Sequence, residues 1–346
     1  MLRALAALLV SAATSIAASS FIGDMKTIKA HASTVPANGD VNPYGVAVVP
    51  SSIGNLKSGH VLVSNFNDSA NTQGAGTTIV QVSPGDGSVK LFAQISDLNC
   101  PGGVGLTTAL VVLRAGFVIV GSLPTDPNTG ALTGAGCLIV LNSSGQVVET
   151  FADSNINGPW DMTAVDRGTS AALFVTNVLK NIGSVASPNG FVSRIVLSIP
   201  PGGMPSISSE AVIATGFNTR TDVAALVIGP TGVGLGAGGT LYVADTLDNQ
   251  IVPILNALTN PSIGTPFTTT GLNGPLGLAI APNGDIIVAN SLDGNMVEIT
   301  PGGTQVALKF VDVTGMGAGD LFGLAIRNDQ GVYFVNDGNN TLDLLH

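Results

Sequence analysis

Gly274-Pro275-Leu276-Gly277-Leu278-Ala279-Ile280, followed after a turn by Asp285-Ile286-Ile287-Val288-Ala289-Asn290, reads as a short apolar strand and a second β-rich strand that ends in a polar amide. The same pattern returns at Phe322-Gly323-Leu324-Ala325-Ile326 with Val332-Tyr333-Phe334-Val335-Asn336-Asp337. Working outward, six copies align on the small or acidic residue that opens the first strand: Gly45, Gly103, Asp161, Asp222, Gly277 and Gly323. A single copy cannot bury its apolar faces without neighbours, so the set as a whole specifies an architecture.

The first strands are expected at 46–49, 104–106, 162–165, 223–228, 278–280 and 324–326, and their almost wholly apolar make-up suits strands covered on both faces. The second strands, such as Leu173-Phe174-Val175-Thr176-Asn177 and Leu241-Tyr242-Val243-Ala244-Asp245, are rich in β-branched and aromatic residues. Turns such as Pro84-Gly85-Asp86-Gly87, Ser143-Ser144-Gly145 and Pro301-Gly302-Gly303 supply the preset or positive φ that hairpins need. Each unit is therefore a four-stranded antiparallel meander, and six arranged radially make an all-β, six-bladed β-propeller, which leaves only short protected edges. The sixth unit stops at its third strand, over 340–346. The segment around 25–30 is expected to supply the missing strand and close the ring, giving one domain over 21–346.

The chain has 346 residues, 45% of them hydrophobic and only 10% charged, with 45 Gly, so a large core coexists with many turns and disorder is excluded as a general description. Residues 1–20 carry one early positive charge at Arg3, an apolar run over 4–10 and the small-residue stretch Ser15-Ile16-Ala17-Ala18-Ser19-Ser20, the layout of a secretory signal peptide cleaved near Ala17 or Ala18. A secreted or periplasmic protein is the expectation. The net charge of −10 and the 12 dispersed Lys and Arg provide no clustered basic face for a phosphate backbone, which argues against nucleic acid. Cys100 and Cys137 are compatible either with one disulfide, which needs Cα atoms within ~7 Å, or with two buried thiols.

The run Gly274–Ile280 with Gly284-Asp285-Ile286-Ile287-Val288-Ala289-Asn290 and Asp293-Gly294-Asn295-Met296-Val297 resembles the NHL repeat of six-bladed propellers. Gly239-Thr240-Leu241-Tyr242-Val243-Ala244-Asp245 with Asp248-Asn249-Gln250-Ile251 is similar to its second-strand half. The resemblance implies a six-bladed propeller acting as a binding or scaffold module, expected to be monomeric, whose partner is a protein, a glycan or a small molecule. Where NHL units commonly carry Arg after the Asn pair, this chain has Gln250, Met296 and Thr341, which again points away from RNA.

Residues preceding the inner strands converge on one mouth of a propeller's channel. By the alignment these are Asn42, Asn99, Asn157, Asn218, Asn273 and Asp320, with Asp161, Arg220 and Asp222 close behind. Amide and carboxylate oxygens suit Ca2+ or another oxygen-preferring divalent ion, while Asn before a turn also bonds its own backbone. Trp160, the only tryptophan, stands at the same mouth, where it can stack on a planar ligand beside Arg220 or pack against the next blade. Propeller lactonases that resemble NHL propellers hold a central ion with Glu, Asn and Asp. That likeness implies the alternative function, a metal-dependent hydrolase or lyase with Asn157, Asn273 and Asp320 as ligands and Asp161 or Asp222 as general base. The three histidines, His31, His60 and His346, fall away from the channel, and no GxSxG elbow or phosphate-binding glycine loop is present.

Overall fold

The computed structural model describes residues 20–96, 99–126, 131–179, 188–222, 226–312, 314–315, 317–327 and 330–346. The expected signal peptide lies, apart from Ser20, outside the described residues. Strand β1 (Ile28–Ser33) opens the chain, and blade one follows as β2 (Val41–Val48), β3 (Val61–Asn67), β4 (Gln73–Val82) and β5 (Val89–Gln94). Blade two is β6 (Leu110–Val112), β7 (Val118–Ser122), β8 (Cys137–Leu141) and β9 (Val147–Phe151). Blade three is β10 (Pro159–Asp166), β11 (Ser170–Asn177), β12 (Gly190–Ser198) and β13 (Ser206–Phe217). A two-stranded hairpin of β14 (Arg220–Asp222) and β15 (Leu226–Ile228) precedes blade four, β16 (Pro230–Leu235), β17 (Leu241–Asp245), β18 (Gln250–Leu255) and β19 (Ser262–Ile263). Blade five is β20 (Pro275–Ile280), β21 (Ile286–Asn290), β22 (Asn295–Ile299) and β23 (Gln305–Phe310). Blade six is β24 (Leu321–Arg327), β25 (Gly331–Asn336) and β26 (Thr341–Leu345), completed by β1 in the order β1-β26-β25-β24.

The fold is thus an all-β six-bladed propeller of four-stranded antiparallel blades, and the N-terminal strand closes the ring as expected: Ile28 pairs with Leu345 and Ser33 with Thr341. Two inner strands differ from the sequence reading. In blade two the strand is Leu110–Val112, not 104–106, and in blade four it is Pro230–Leu235, not 223–228, of which 223–225 lie outside the described residues. The reason is physical. Leu106, Val227 and Ile228 are apolar because they fill the channel mouth, where they join one buried cluster with Tyr44, Trp160, Leu276 and Phe322. A buried loop residue and a buried strand residue leave the same mark in an apolar run.

Five inner strands share a register shift where they open, at Pro43/Val46, Pro159/Asp161, Pro230/Val233, Pro275/Gly277 and Leu321/Leu324. Proline suits the first residue of an edge strand because it has no N–H to leave unpaired. Cross-strand pairing makes Gly45, Ala109, Asp161, Gly232, Gly277 and Gly323 equivalent. A Cβ on Gly45, Gly232, Gly277 or Gly323 would collide with the carbonyl oxygen of Thr108, Leu276, Phe322 or Tyr44 in the next blade, so glycine there sets how tightly the blades close around the axis. The remaining core lies between blades, for example Leu62, Ile79, Leu110, Val120 and Ile139 between the first two. Cys100 and Cys137 form a disulfide with Cα atoms 5.6 Å apart, tying the entry loop of blade two to its third strand. No helix among the described residues is long and apolar enough to cross a membrane.

Candidate functional site

The residue just before each opening position points into one end of the channel. In blades one, three, five and six it is Tyr44, Trp160, Leu276 or Phe322, each at most 5% exposed. The Tyr44 ring centroid lies 5.6 Å from Trp160, 5.5 Å from Phe322 and 6.4 Å from Phe66, with the Trp160 and Phe66 contacts edge to face. Offset and edge contacts of this kind suit ring quadrupoles. The buried indole N–H donates to the Tyr44 hydroxyl at 2.7 Å, so the polar edge of the only tryptophan is satisfied inside the protein. Trp160 is therefore part of an aromatic plug, and at 1% exposure its face is covered by protein.

Above the plug a pocket of about 250 Å3 gathers three of the residues singled out from sequence: Arg220, Asp222 and Asn273. Its floor is Ile228, Leu276 and Phe322, and Leu292 stands exposed beside them. Strand β14 carries both charged groups, and the Arg220 guanidinium donates to Asp222 at 3.1 Å while its side chain stays 60% exposed. The hydroxyls around the pocket are used by the fold: Thr246 Oγ1 donates to the Pro275 carbonyl at 2.7 Å and Ser291 Oγ to the Gly274 carbonyl at 2.9 Å. Asn249 is likewise committed, donating to the Leu272 carbonyl and accepting from Gly274 N–H, both at 2.9 Å. What the pocket offers an incoming molecule is the Arg220–Asp222 ion pair with its exposed guanidinium, the exposed Asn273 and an apolar base.

Beneath the plug the channel holds a separate cavity of about 370 Å3, walled by all six inner strands. Most of its side chains are aliphatic, among them Val46, Leu110, Val233, Leu278 and Leu324, but polar atoms make up the larger part of its open surface, and Asp161 and Asp166 are its acidic residues. Asp161 takes the position that Gly or Ala holds in the other five blades. Its carboxylate accepts from Met162 N–H at 2.7 Å and is bonded by the Val233 N–H of the neighbouring blade. Burial pushes its pKa up to about 7, because removing water disfavours the charged form more than two backbone donors favour it. Burial, followed by the nearby Asp161 charge, also pushes the Tyr44 phenol well above its ordinary range.

The residues of the expected oxygen ring do not share one position in the repeats. Asn157 and Asn273 precede the prolines that open β10 and β20, whereas Asn42 and Asp320 stand one position later in their blades, and Asn99 and Asn218 lie on the excursions that lead to β6 and β16. Asn157 N–H donates to Asn177 Oδ1 at 3.0 Å. Asp320 accepts from Thr314 Oγ1 at 2.7 Å, and the Thr314 backbone N–H donates to Asp312 at 2.9 Å. Burial and then Asp320 push the neighbouring Asp337 up to about 7. Among the described residues no group of three or more His, Cys, Asp and Glu is placed to share a metal ion.

Sequence reading missed Tyr44, which anchors the plug. A signal was present: Tyr44-Gly45, Trp160-Asp161 and Phe322-Gly323 put an aromatic residue before the opening position in three copies. It also missed Glu298, fully buried on β22, whose carboxylate accepts from Phe21 N–H at 2.6 Å, Ile22 N–H at 2.8 Å and Asn283 Nδ2 at 3.1 Å, with Ser20 Oγ as a further donor. The donors Ser20, Phe21 and Ile22 lie some 277 residues away in sequence, beyond the reach of any local pattern.

No protein-family model matches the chain, and no curated protein matches it in sequence. Solved structures do match in shape. A gluconolactonase from Xanthomonas campestris is 13% identical with a TM-score of 0.56, covering 89% of this chain and 86% of that one. The calcium-binding protein regucalcin from Agrobacterium tumefaciens is 13% identical with a TM-score of 0.57, covering 90% and 91%. Virginiamycin B lyase from Staphylococcus aureus is 14% identical with a TM-score of 0.52, covering 90% and 97%. At such identities the likeness speaks for the propeller fold, which hosts unrelated functions.

Proposed function

We propose that this chain is an exported, monomeric propeller that binds a small molecule at the plugged channel mouth. The observation that carries the reading is the plug itself. By filling the axis with Tyr44, Trp160, Leu276 and Phe322, it turns an open channel end into a shallow pocket with an apolar base and a guanidinium at the rim. Small-ligand sites combine an apolar lining with a few polar groups that orient the ligand. The matching ligand has a flat apolar body and one carboxylate, which meets the N–H groups of the Arg220 fork that are not donated to Asp222.

The test is calorimetric titration of phenylacetate and 2-naphthoate against their uncharged amides. The acids should bind more tightly than the amides, and Arg220→Ala should weaken the acids about tenfold while leaving the amides unchanged. Acids that bind no better than amides, or no worse to Arg220→Ala, would remove the basis of the proposal.

A second reading, hydrolysis or elimination in the manner of the lactonase-like propellers, is favoured by Asp161, whose raised pKa suits a general base near neutral pH. Its test is turnover of glucono-lactone by the wild type and by Asp161→Asn. Activity lost in the variant supports this reading, and no turnover by the wild type removes lactones from it.

A further inference from the structure

Asp161 and the cavity below the plug play no part in the mouth pocket. Its Asp161 end lies next to the aromatic plug, since Trp160 and Asp161 are consecutive and Asp161 lies close enough to Tyr44 to perturb its phenol. It runs from there toward the opposite mouth along β10, where Asp166 marks the far end of the strand. Five residues of extended chain separate the two acids, roughly 16 Å.

These two carboxylates are not equivalent. Asp166 accepts from Arg114 N–H through one oxygen and from Gly168 N–H at 2.7 Å through the other, so it ties two turns at the rim. Asp161 is half-buried, among side chains that are mostly aliphatic, at the position where the other blades carry glycine or alanine. Charged groups in apolar surroundings are costly unless a hydrogen-bonded partner of opposite sign meets them, and among the described residues lining this cavity none is basic.

We propose that the cavity below the plug is a second ligand site, which takes a primary alkylammonium end-on, with its charged head on Asp161 and its apolar tail between Val46, Leu110, Leu278 and Leu324. The head supplies the missing counter-charge and the tail replaces water along the aliphatic wall. An alkyl chain of six carbons is shorter than the roughly 16 Å between the acids, so it fits without reaching the rim. An alkyl carboxylate of equal length would meet like charge at the Asp161 end, and an alcohol would gain the apolar contacts alone.

The experiment uses the full mature protein at pH 8 with three probes of one length: n-hexylammonium, 1-hexanol and hexanoate. Binding is read by calorimetry and by the fluorescence of Trp160, which sits directly above the site and is the only tryptophan. The expected order is ammonium, then alcohol, then carboxylate, with the ammonium at least about tenfold tighter than the alcohol. Asp161→Asn should erase the preference for ammonium while alcohol binding persists, whereas Asp166→Asn should keep it. The wild-type ranking is informative even if Asp161→Asn fails to fold. Equal affinity for ammonium and alcohol, no binding of any probe, or an ammonium preference that survives Asp161→Asn or disappears with Asp166→Asn would overturn the assignment.

Discussion

Replacing Glu298 by alanine tests how the chain's start is fastened to the ring. Glu298 is fully buried, and its carboxylate caps the successive backbone N–H groups of Phe21 and Ile22. Ile22 is itself fully buried in the cluster between blades five and six with Ile287, Met296 and Phe334, and Lys309 Nζ holds the Met25 carbonyl. Removing the side chain leaves two amides without their acceptor at ~1–3 kcal/mol each, and a vacated space beneath them. If the segment stays docked, the loss is about 3–5 kcal/mol. If it detaches, the loss is capped at whatever free energy its docking supplies, and the rest of the ring survives. The two cases separate by experiment. Urea denaturation gives the global loss, and hydrogen exchange at Phe21 and Ile22 gives the local one. Ile22→Ala should cost ~2–5 kcal/mol by the same route. Because both side chains hold one segment, the double variant should lose clearly less than the sum of the single losses. A loss below about 1 kcal/mol with unchanged protection at both amides would refute the reasoning, since two ionic hydrogen bonds in a buried setting cannot be worth so little.

Stability should rise as pH falls from 8 toward 5. Burial raises Asp161 and Asp337 to about 7 and Asp245, Asp285 and Asp343 to about 6, so between the ordinary carboxylate range and those values the native state binds more protons than the unfolded chain. Ionising them on the way up therefore favours unfolding, and a melting temperature that is flat or rises over that range would contradict the assignment; Asp161→Asn should flatten part of the slope. Below the ordinary carboxylate range the sign reverses, because Glu298 and Asp312 are held low and lose their bonds on protonation. Reducing the Cys100–Cys137 bond, which spans 37 residues, should cost ~4 kcal/mol by loop entropy, read as the denaturation midpoint of the Cys100→Ala/Cys137→Ala variant. Gly323→Ala puts a methyl group into the Tyr44 carbonyl and should cost ~1–3 kcal/mol or more, whereas Gly85→Ala, with nothing within 4 Å, should be nearly neutral in the same melt.

How much of this was legible in the sequence differs from element to element. Blades five and six could be read strand by strand because their inner strands follow the turn directly, as in Gly274–Ile280, and alternation and glycine placement agree. Blades two and four were misread at their inner strands because each inserts a buried excursion, through Leu106 and through Val227 and Ile228, and burial alone does not distinguish loop from strand. The site followed the same divide. Arg220, Asp222 and Asn273 do meet in one pocket, although Asp222 belongs to a hairpin ahead of the strand it was expected to open. The six polar residues share no common place in the repeat, since Asn157 and Asn273 stand two residues before the prolines that open their strands while Asn42 and Asp320 stand one residue before Pro43 and Leu321, although the register shift that follows is the same in all four blades.

The seam between β1 and β26 also sets the order in which the molecule can be made. It joins Ile28 to Leu345, and around it Lys26 and Thr27 N–H donate to the His346 carbonyl while His346 N–H donates to Thr27. The strand synthesised first is thus the one that pairs last, and until Thr341–Leu345 emerges it presents an open edge. Contacts of such sequence separation make folding slow and leave intermediates prone to wrong pairing. A circular permutant that links the two ends and cuts instead at the exposed Pro301-Gly302 turn would turn the seam into a hairpin and transfer the waiting to blade five.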